Sequence, residues 1–390
     1  MKKYVNIILL VLICSIFIPT SYNYASSNTE KKILKNIAIF INFADSDTKT
    51  THHIDDEESV NNAKKIFNSD EYFDMDSVNG IIKVPSFKKY YEQQSYGKLS
   101  ITTEIYPKQN DKIIAYTDSK TMGYYLRYSA SNTIGYKNSE ELLKRETELV
   151  NNAVAYVKSQ VESSGITESD IDTNNDGKID AISFVVEGCD STEANIAWGD
   201  LLWSHKRDNN GVETTIFGKR IVEYNILHAY DYSQSAGLFS LNRGTYGTII
   251  HEFGHTLGYV DLYRFSPSKG MPVGFYDIMG NTVGSNPQNF LTYFISEYNR
   301  ETNWHNPLPV IEDTTQNITL YSPNFTDPNE MRAVKIQLDK EGKEYFIVEY
   351  HEKQNTYSSY SADESGIIVY RVNEKNKYSG NKDGRRTWRK

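Results

Sequence analysis

The segment His251-Glu252-Phe253-Gly254-His255-Thr256-Leu257-Gly258-Tyr259-Val260-Asp261 constrains this chain more than any other stretch. On an α-helix, positions i and i+4 share one face, so His251 and His255 can bite a single metal ion. Glu252 lies beside that pair, close enough to take a proton from a water at the metal. Two neutral imidazoles suit Zn²⁺, and a catalytic zinc site takes three protein ligands and keeps one position open. Gly258 is the residue type that reverses a chain in the left-handed conformation. Such a turn brings Asp261 back towards the metal as a carboxylate third ligand. Tyr246-Gly247-Thr248-Ile249-Ile250 supplies an apolar helical entry. Two unrelated histidines on an amphipathic helix would leave Gly258 and Asp261 unexplained, so the reading is one catalytic Zn²⁺ and a hydrolase, first of all a protease.

His251 to Asp261 matches HExxHxxGxxD, the metzincin pattern with aspartate as third ligand. Leu262-Tyr263 and the downstream Phe275-Tyr276-Asp277-Ile278-Met279-Gly280 resemble the M6 peptidases, the immune inhibitor A-like group. Ile37–Asp45, Tyr90–Tyr106, Asp172–Gly188, Trp203–Lys206 and Glu344–Val372 are also similar to M6 enzymes. The resemblance implies a Met-containing turn beneath the zinc at Met279, 18 residues after Asp261. It also implies an α/β (α+β) fold: a metzincin-like catalytic domain with a twisted mixed β-sheet and an active-site helix.

Residues 1–25 read as a secretory signal, with Lys2 and Lys3, an apolar run from Val5 to Pro19 and a small-residue exit near Ala25. The apolar run is shorter than the roughly 20 residues that span a bilayer, and Ile13 before Cys14 is too bulky for a lipoprotein site. Export as a soluble, secreted monomer with no stable membrane anchor is expected. Removing the two signal lysines takes the formal net charge from −9 to −11, which disfavours nucleic acid or anionic membrane as partner and leaves protein or peptide substrates. Cys189 is then the only cysteine, so no intramolecular disulfide can form, and bound calcium is the expected staple.

Ile37–Phe43 reads as a fully buried strand, followed by a polar loop through about Asp70. Ser86–Gln94 suits a helix capped by Ser86, and Lys98–Tyr106 alternates as a strand. Ser139–Val161 is the clearest long helix, capped by Ser139, with Leu142, Leu143, Leu149, Val154 and Val157 along one stripe. Ala181–Glu187 reads as a second buried strand and Arg220–Tyr224 as another. Leu201–Lys206 is expected to be an edge strand bordering the cleft, as metzincins place one antiparallel to substrate, and Asn289–Tyr298 a helix after the Met-turn. Strands at Ile318–Tyr321, Ala333–Leu338, Tyr345–Tyr350 and Gly366–Val372 predict a small β-rich C-terminal subdomain. The expected division is a signal peptide (1–25), a catalytic domain (26–306), the β-rich subdomain (307–375) and a polar basic tail (376–390).

Asp172-Thr173-Asn174-Asn175-Asp176-Gly177-Lys178-Ile179-Asp180 has the first half of an EF-hand spacing. Asp172, Asn174, Asp176 and Asp180 supply oxygen at positions 1, 3, 5 and 9, Lys178 offers its carbonyl at position 7, and Gly177 makes the sharp turn. The twelfth position is Ser183 rather than Glu, so a complete EF-hand is not expected. A solvated polar turn is the alternative; the similarity of M6 enzymes over this segment favours a structural Ca²⁺.

A zinc protease needs Glu252 as general base and a further donor for the tetrahedral oxyanion. Tyr276 and His205 are the candidates. Two alternatives stand beside this reading. In a gluzincin arrangement Glu297, 42 residues after His255, would be the third ligand. A non-catalytic exported adhesion or binding protein would instead need a closed four-ligand metal site.

Overall fold

The computed structural model describes residues 31–46, 53–77, 80–95, 97–187, 202–208, 211–228, 243–259, 261–262, 273, 277–280, 308–311, 317–321, 331, 333–351 and 365–373. The architecture is mixed α/β, built on one six-stranded sheet. Strand β1 (Lys32–Phe43) runs through its middle, and Ile37, Ala38, Ile39, Phe40 and Ile41 are all fully buried. A continuous apolar run of this kind belongs to a strand covered on both faces. Each large side chain in it contributes about 1.5–3 kcal/mol by leaving water.

Strand β1 pairs in parallel with β2 (Leu99–Tyr106), with β3 (Tyr116–Asp118) and with β4 (Ile182–Val186). Beyond β4 lie β5 (His205–Asp208) at the edge and β6 (Glu223–His228) between them. Strand β6 is parallel to β4, whereas β5 runs antiparallel to β6, with His205 opposite Ile226 and Arg207 opposite Tyr224. The antiparallel edge strand is therefore present, but at His205–Asp208 rather than Leu201–Lys206; Leu201 lies outside the described residues.

Three helices matter for the site. Helix α2 (Phe87–Gln94) is capped as expected, Ser86 Oγ accepting the Lys89 N–H at 3.0 Å. Helix α3 (Ser139–Glu162) is capped by Asn138, not Ser139: the Asn138 side chain accepts the Glu141 N–H at 2.9 Å. Asparagine in extended backbone at Ncap performs the same service one residue earlier. Leu143 is 42% exposed and leaves the expected stripe, while Leu149, Val150, Val154 and Val157 are buried. Helix α4 (Arg243–Thr256) carries the histidine motif and packs against α2 through a hydrogen bond from the Tyr91 hydroxyl to the Ile250 carbonyl, 2.6 Å.

The polar loop expected before Asp70 is instead largely a helix, α1 (Glu57–Asn68). Val60, Ala63, Ile66 and Phe67 fall at helical spacing and are buried, a stripe that the surrounding charges hide in composition. The described C-terminal strands form a separate four-stranded sheet: β7 (Val310–Ile311), β8 (Ala333–Gln337), β9 (Glu344–His351) and β10 (Gly366–Asn373). This is the expected β-rich end, except that Ile318–Tyr321 is not a strand. The signal segment, Cys189, the helix expected at Asn289–Tyr298 and the basic tail lie outside the described residues. No described helix is long and apolar enough to cross a membrane.

Candidate metal centre

Helix α4 ends where the sequence predicts. Gly258 has φ +89°, and the Tyr259 N–H returns to the Gly254 carbonyl at 3.0 Å. The reversal carries Asp261 back over the helix. Its Oδ1 comes within 3.2 Å of His251 Nε2 and 3.3 Å of His255 Nε2. The ligand atoms of His251, Glu252 and His255 also lie within 4.8 Å of one another, so this cluster could hold a metal. Asp261 is the nearer carboxylate, since Glu252 Oε2 is 4.0 Å from His255 Nε2.

Both imidazoles are oriented by backbone. His251 Nδ1 lies 2.8 Å from the Ile278 carbonyl, and His255 Nδ1 lies 2.8 Å from the Tyr259 carbonyl. A carbonyl only accepts, so each Nδ1 carries a proton and each ring turns its Nε2 towards Asp261. Asp261 Oδ1 is buried between the two imidazoles. Two ring nitrogens and a carboxylate oxygen thus converge, which is the donor set and second-shell arrangement that a zinc site uses.

The electrostatics carry the same demand. Burial alone would depress the His251 imidazole, but Asp261 and Glu252 outweigh it and push its pKa up to about 9. Burial works in the opposite sense on Asp261, yet the two imidazoles hold its carboxyl far below the usual range. Glu252 is raised, chiefly by burial, and this shift favours proton uptake.

The turn at Met279 closes the site from the other side. Met279 is fully buried and its carbonyl accepts the Leu262 N–H at 2.8 Å, next to Asp261. Ile278 supplies the carbonyl that orients His251, and Asp277 Oδ1 accepts the Met279 N–H at 2.7 Å. One tight turn therefore braces both the first histidine and the chain that returns with Asp261. Tyr276 and Glu297 lie outside the described residues.

His205, the other oxyanion candidate, is committed elsewhere. Its Nδ1 bonds the Trp203 carbonyl and its Nε2 lies 3.2 Å from Glu146 Oε1. Glu146 was not singled out from the sequence; a lone glutamate inside a helix rich in Glu and Lys carries no local signal. It is fully buried, and it also takes Arg207 Nε at 2.6 Å and the Tyr224 hydroxyl at 2.8 Å. Burial opposes its ionisation, but His205 and Arg207 hold its pKa down to about 2.

The Asp172–Asp180 loop folds as a tight polar turn, with Asn175 and Gly177 in left-handed conformation. Asp172 accepts the N–H groups of Asp176 (2.9 Å) and Gly177 (3.0 Å), and Asn174 Oδ1 accepts that of Asp176 (3.1 Å). Lys219 Nζ sits 3.0 Å from Asp172, Lys178 Nζ 2.8 Å from Asp176, and Asp180 turns to the Thr173 N–H at 2.9 Å. The expected oxygens are brought together, but backbone donors and two lysines already engage them. This geometry lends calcium no support.

Residues 22–303 match the sequence model described as immune inhibitor A peptidase M6, catalytic domain. No curated protein matches the chain. Among solved structures, wild-type OgpA from Akkermansia muciniphila aligns with 93% of this chain and 88% of its own, at 12% identity and a TM-score of 0.36. That likeness is too low to bear on function.

Proposed function

Because the chain belongs to the immune inhibitor A peptidase M6 family, we propose that it is a secreted zinc-dependent endopeptidase of the metzincin clan. His251, His255 and Asp261 hold the metal, and Glu252 is the general base. The observation that carries this reading is the convergence of the two oriented Nε2 atoms of His251 and His255 on Oδ1 of Asp261.

Zinc bound there supplies Lewis-acid polarisation of the scissile carbonyl and lowers the pKa of water towards about 7. The Lys206 N–H donates to Glu252 Oε2 at 3.0 Å and holds the carboxylate against helix α4. Glu252 takes a proton from the attacking water and returns it to the departing amine. With His205 tied to Glu146, Tyr276 is the remaining candidate donor for the oxyanion. A catalytic unit over 26–306, a β-rich unit over 307–375 and a signal peptide at 1–25 complete the proposal; a calcium ion in the Asp172–Asp180 loop rests on its half EF-hand spacing alone.

Cleavage of a proteome-derived peptide library tests it, with the Glu252→Ala protein as control. Wild type should cleave internal peptide bonds in a chelator-sensitive manner, while Glu252→Ala retains zinc and loses activity by several orders of magnitude. Near wild-type cleavage by Glu252→Ala would sink the mechanism, and a zinc-loaded wild type that cleaves nothing would favour a binding protein.

A further inference from the structure

The geometry points to Glu146 as a positioning residue for Glu252: from helix α3 it locks the register of edge strand β5, so that the Lys206 N–H meets the Glu252 carboxylate. This rests on the reading of Glu252 as general base.

Strand β5 has only four residues and, among the described residues, a neighbouring strand on one side alone. Short edge strands specify their register weakly, and a slip of one residue turns every side chain to the other face. Glu146 removes that freedom. His205 and Arg207, alternate residues on one face of β5, both reach its carboxylate, Arg207 through Nε at 2.6 Å and Nη2 at 3.1 Å. Tyr224, opposite Arg207 on β6, binds the same carboxylate at 2.8 Å. A slip by one residue would take His205 and Arg207 off Glu146 together.

Lys206 lies between those two anchors and points the other way. Its Nζ reaches Glu223 Oε2 at 2.7 Å, and its backbone N–H donates to Glu252 Oε2 at 3.0 Å. The next strand confirms the two faces: Tyr224 turns to Glu146, whereas Asn225 Nδ2 reaches Thr256 Oγ1 of α4 at 2.9 Å. Buried ion pairs add little net stability compared with apolar packing, and their best-attested use is to fix register. A fully buried carboxylate that clamps alternate residues of one short strand fits that use.

A double-mutant cycle tests the connection on the full-length, zinc-loaded protein. Lys206→Pro deletes the N–H at an edge strand, where a sheet best tolerates proline; Lys206→Ala serves as its reference because it removes the side chain and keeps the N–H. Relative to Lys206→Ala, Lys206→Pro should lower kcat roughly tenfold to a hundredfold, the scale of one hydrogen bond to a charged group, with KM little changed. Glu146→Gln should lower kcat in the same manner. In the Glu146→Gln background the Pro-against-Ala difference should largely vanish, since the N–H is already out of place. Independent, multiplicative losses would overturn the proposal, as would a rise in KM at constant kcat. Should Glu146→Gln fail to fold, Arg207→Gln takes its place in the cycle, with the same two outcomes. Activity in Glu252→Ala would instead defeat the general-base reading, so the two failures are separable.

Discussion

His255 and Tyr259 are joined across the left-handed Gly258 by a 2.8 Å hydrogen bond from the imidazole Nδ1 to the backbone carbonyl. The glycine that ends the helix therefore also decides which nitrogen of the second histidine faces Asp261. A turn and a tautomer are set by the same residue.

Gly258→Ala should weaken both. A residue with a Cβ held in the left-handed region costs about 1–2 kcal/mol. The melting temperature should fall by several degrees and zinc should be lost at lower chelator concentration than from wild type. An alanine variant with unchanged zinc retention would show that the reversal is not what orients His255.

Asp261 separates the two third-ligand alternatives. Asp261→Ala leaves the His251 and His255 Nε2 atoms without their shared carboxylate. Zinc content by mass spectrometry of the purified protein should drop sharply in Asp261→Ala and in His255→Ala, and remain near stoichiometric in Glu297→Ala. The reverse pattern, with Glu297→Ala stripped and Asp261→Ala loaded, would make the site a gluzincin one.

Glu349 on strand β9 is a buried acid whose pKa burial and the neighbouring Asp277 push from 4.5 up to about 8. The folded protein then binds more protons than the unfolded chain between those values, so stability falls as pH rises from 4.5 to 8. Glu349→Gln should remove that slope. Its advantage over wild type should grow across this window to as much as a few kcal/mol, read from denaturant midpoints at fixed pH. Parallel pH profiles for the two proteins would refute it.

Calcium in the Asp172–Asp180 loop has to displace Lys219 from Asp172 and Lys178 from Asp176. A cation that binds only the folded form stabilises it by about 2.7 kcal/mol at a hundredfold excess over its Kd. Millimolar calcium should raise the melting temperature of the zinc-loaded wild type, and Asp176→Ala should erase most of the rise. Equal responses would leave the loop a polar turn held by its own lysines.

Local information in the sequence determined the most about the metal centre. The i, i+4 spacing of His251 and His255 is a helix property, and the left-handed Gly258 is a single-residue property; both are legible without a fold. The buried run Ile37–Ile41 announces a central strand in the same manner, because its neighbours on both faces are implied by its own composition. Where the local signal is split, it misleads: Asn138 rather than Ser139 caps the long helix, and the buried stripe of helix α1 is hidden among its charges. What only the tertiary structure decided is which distant groups meet. Ile278 orients His251 from 27 residues away, Lys206 holds Glu252 from 46, and Glu146 reaches Arg207 across 61. No pattern of spacing encodes such contacts, since each depends on how sheet and helices stack, and burial then fixes the charge state of the groups brought together.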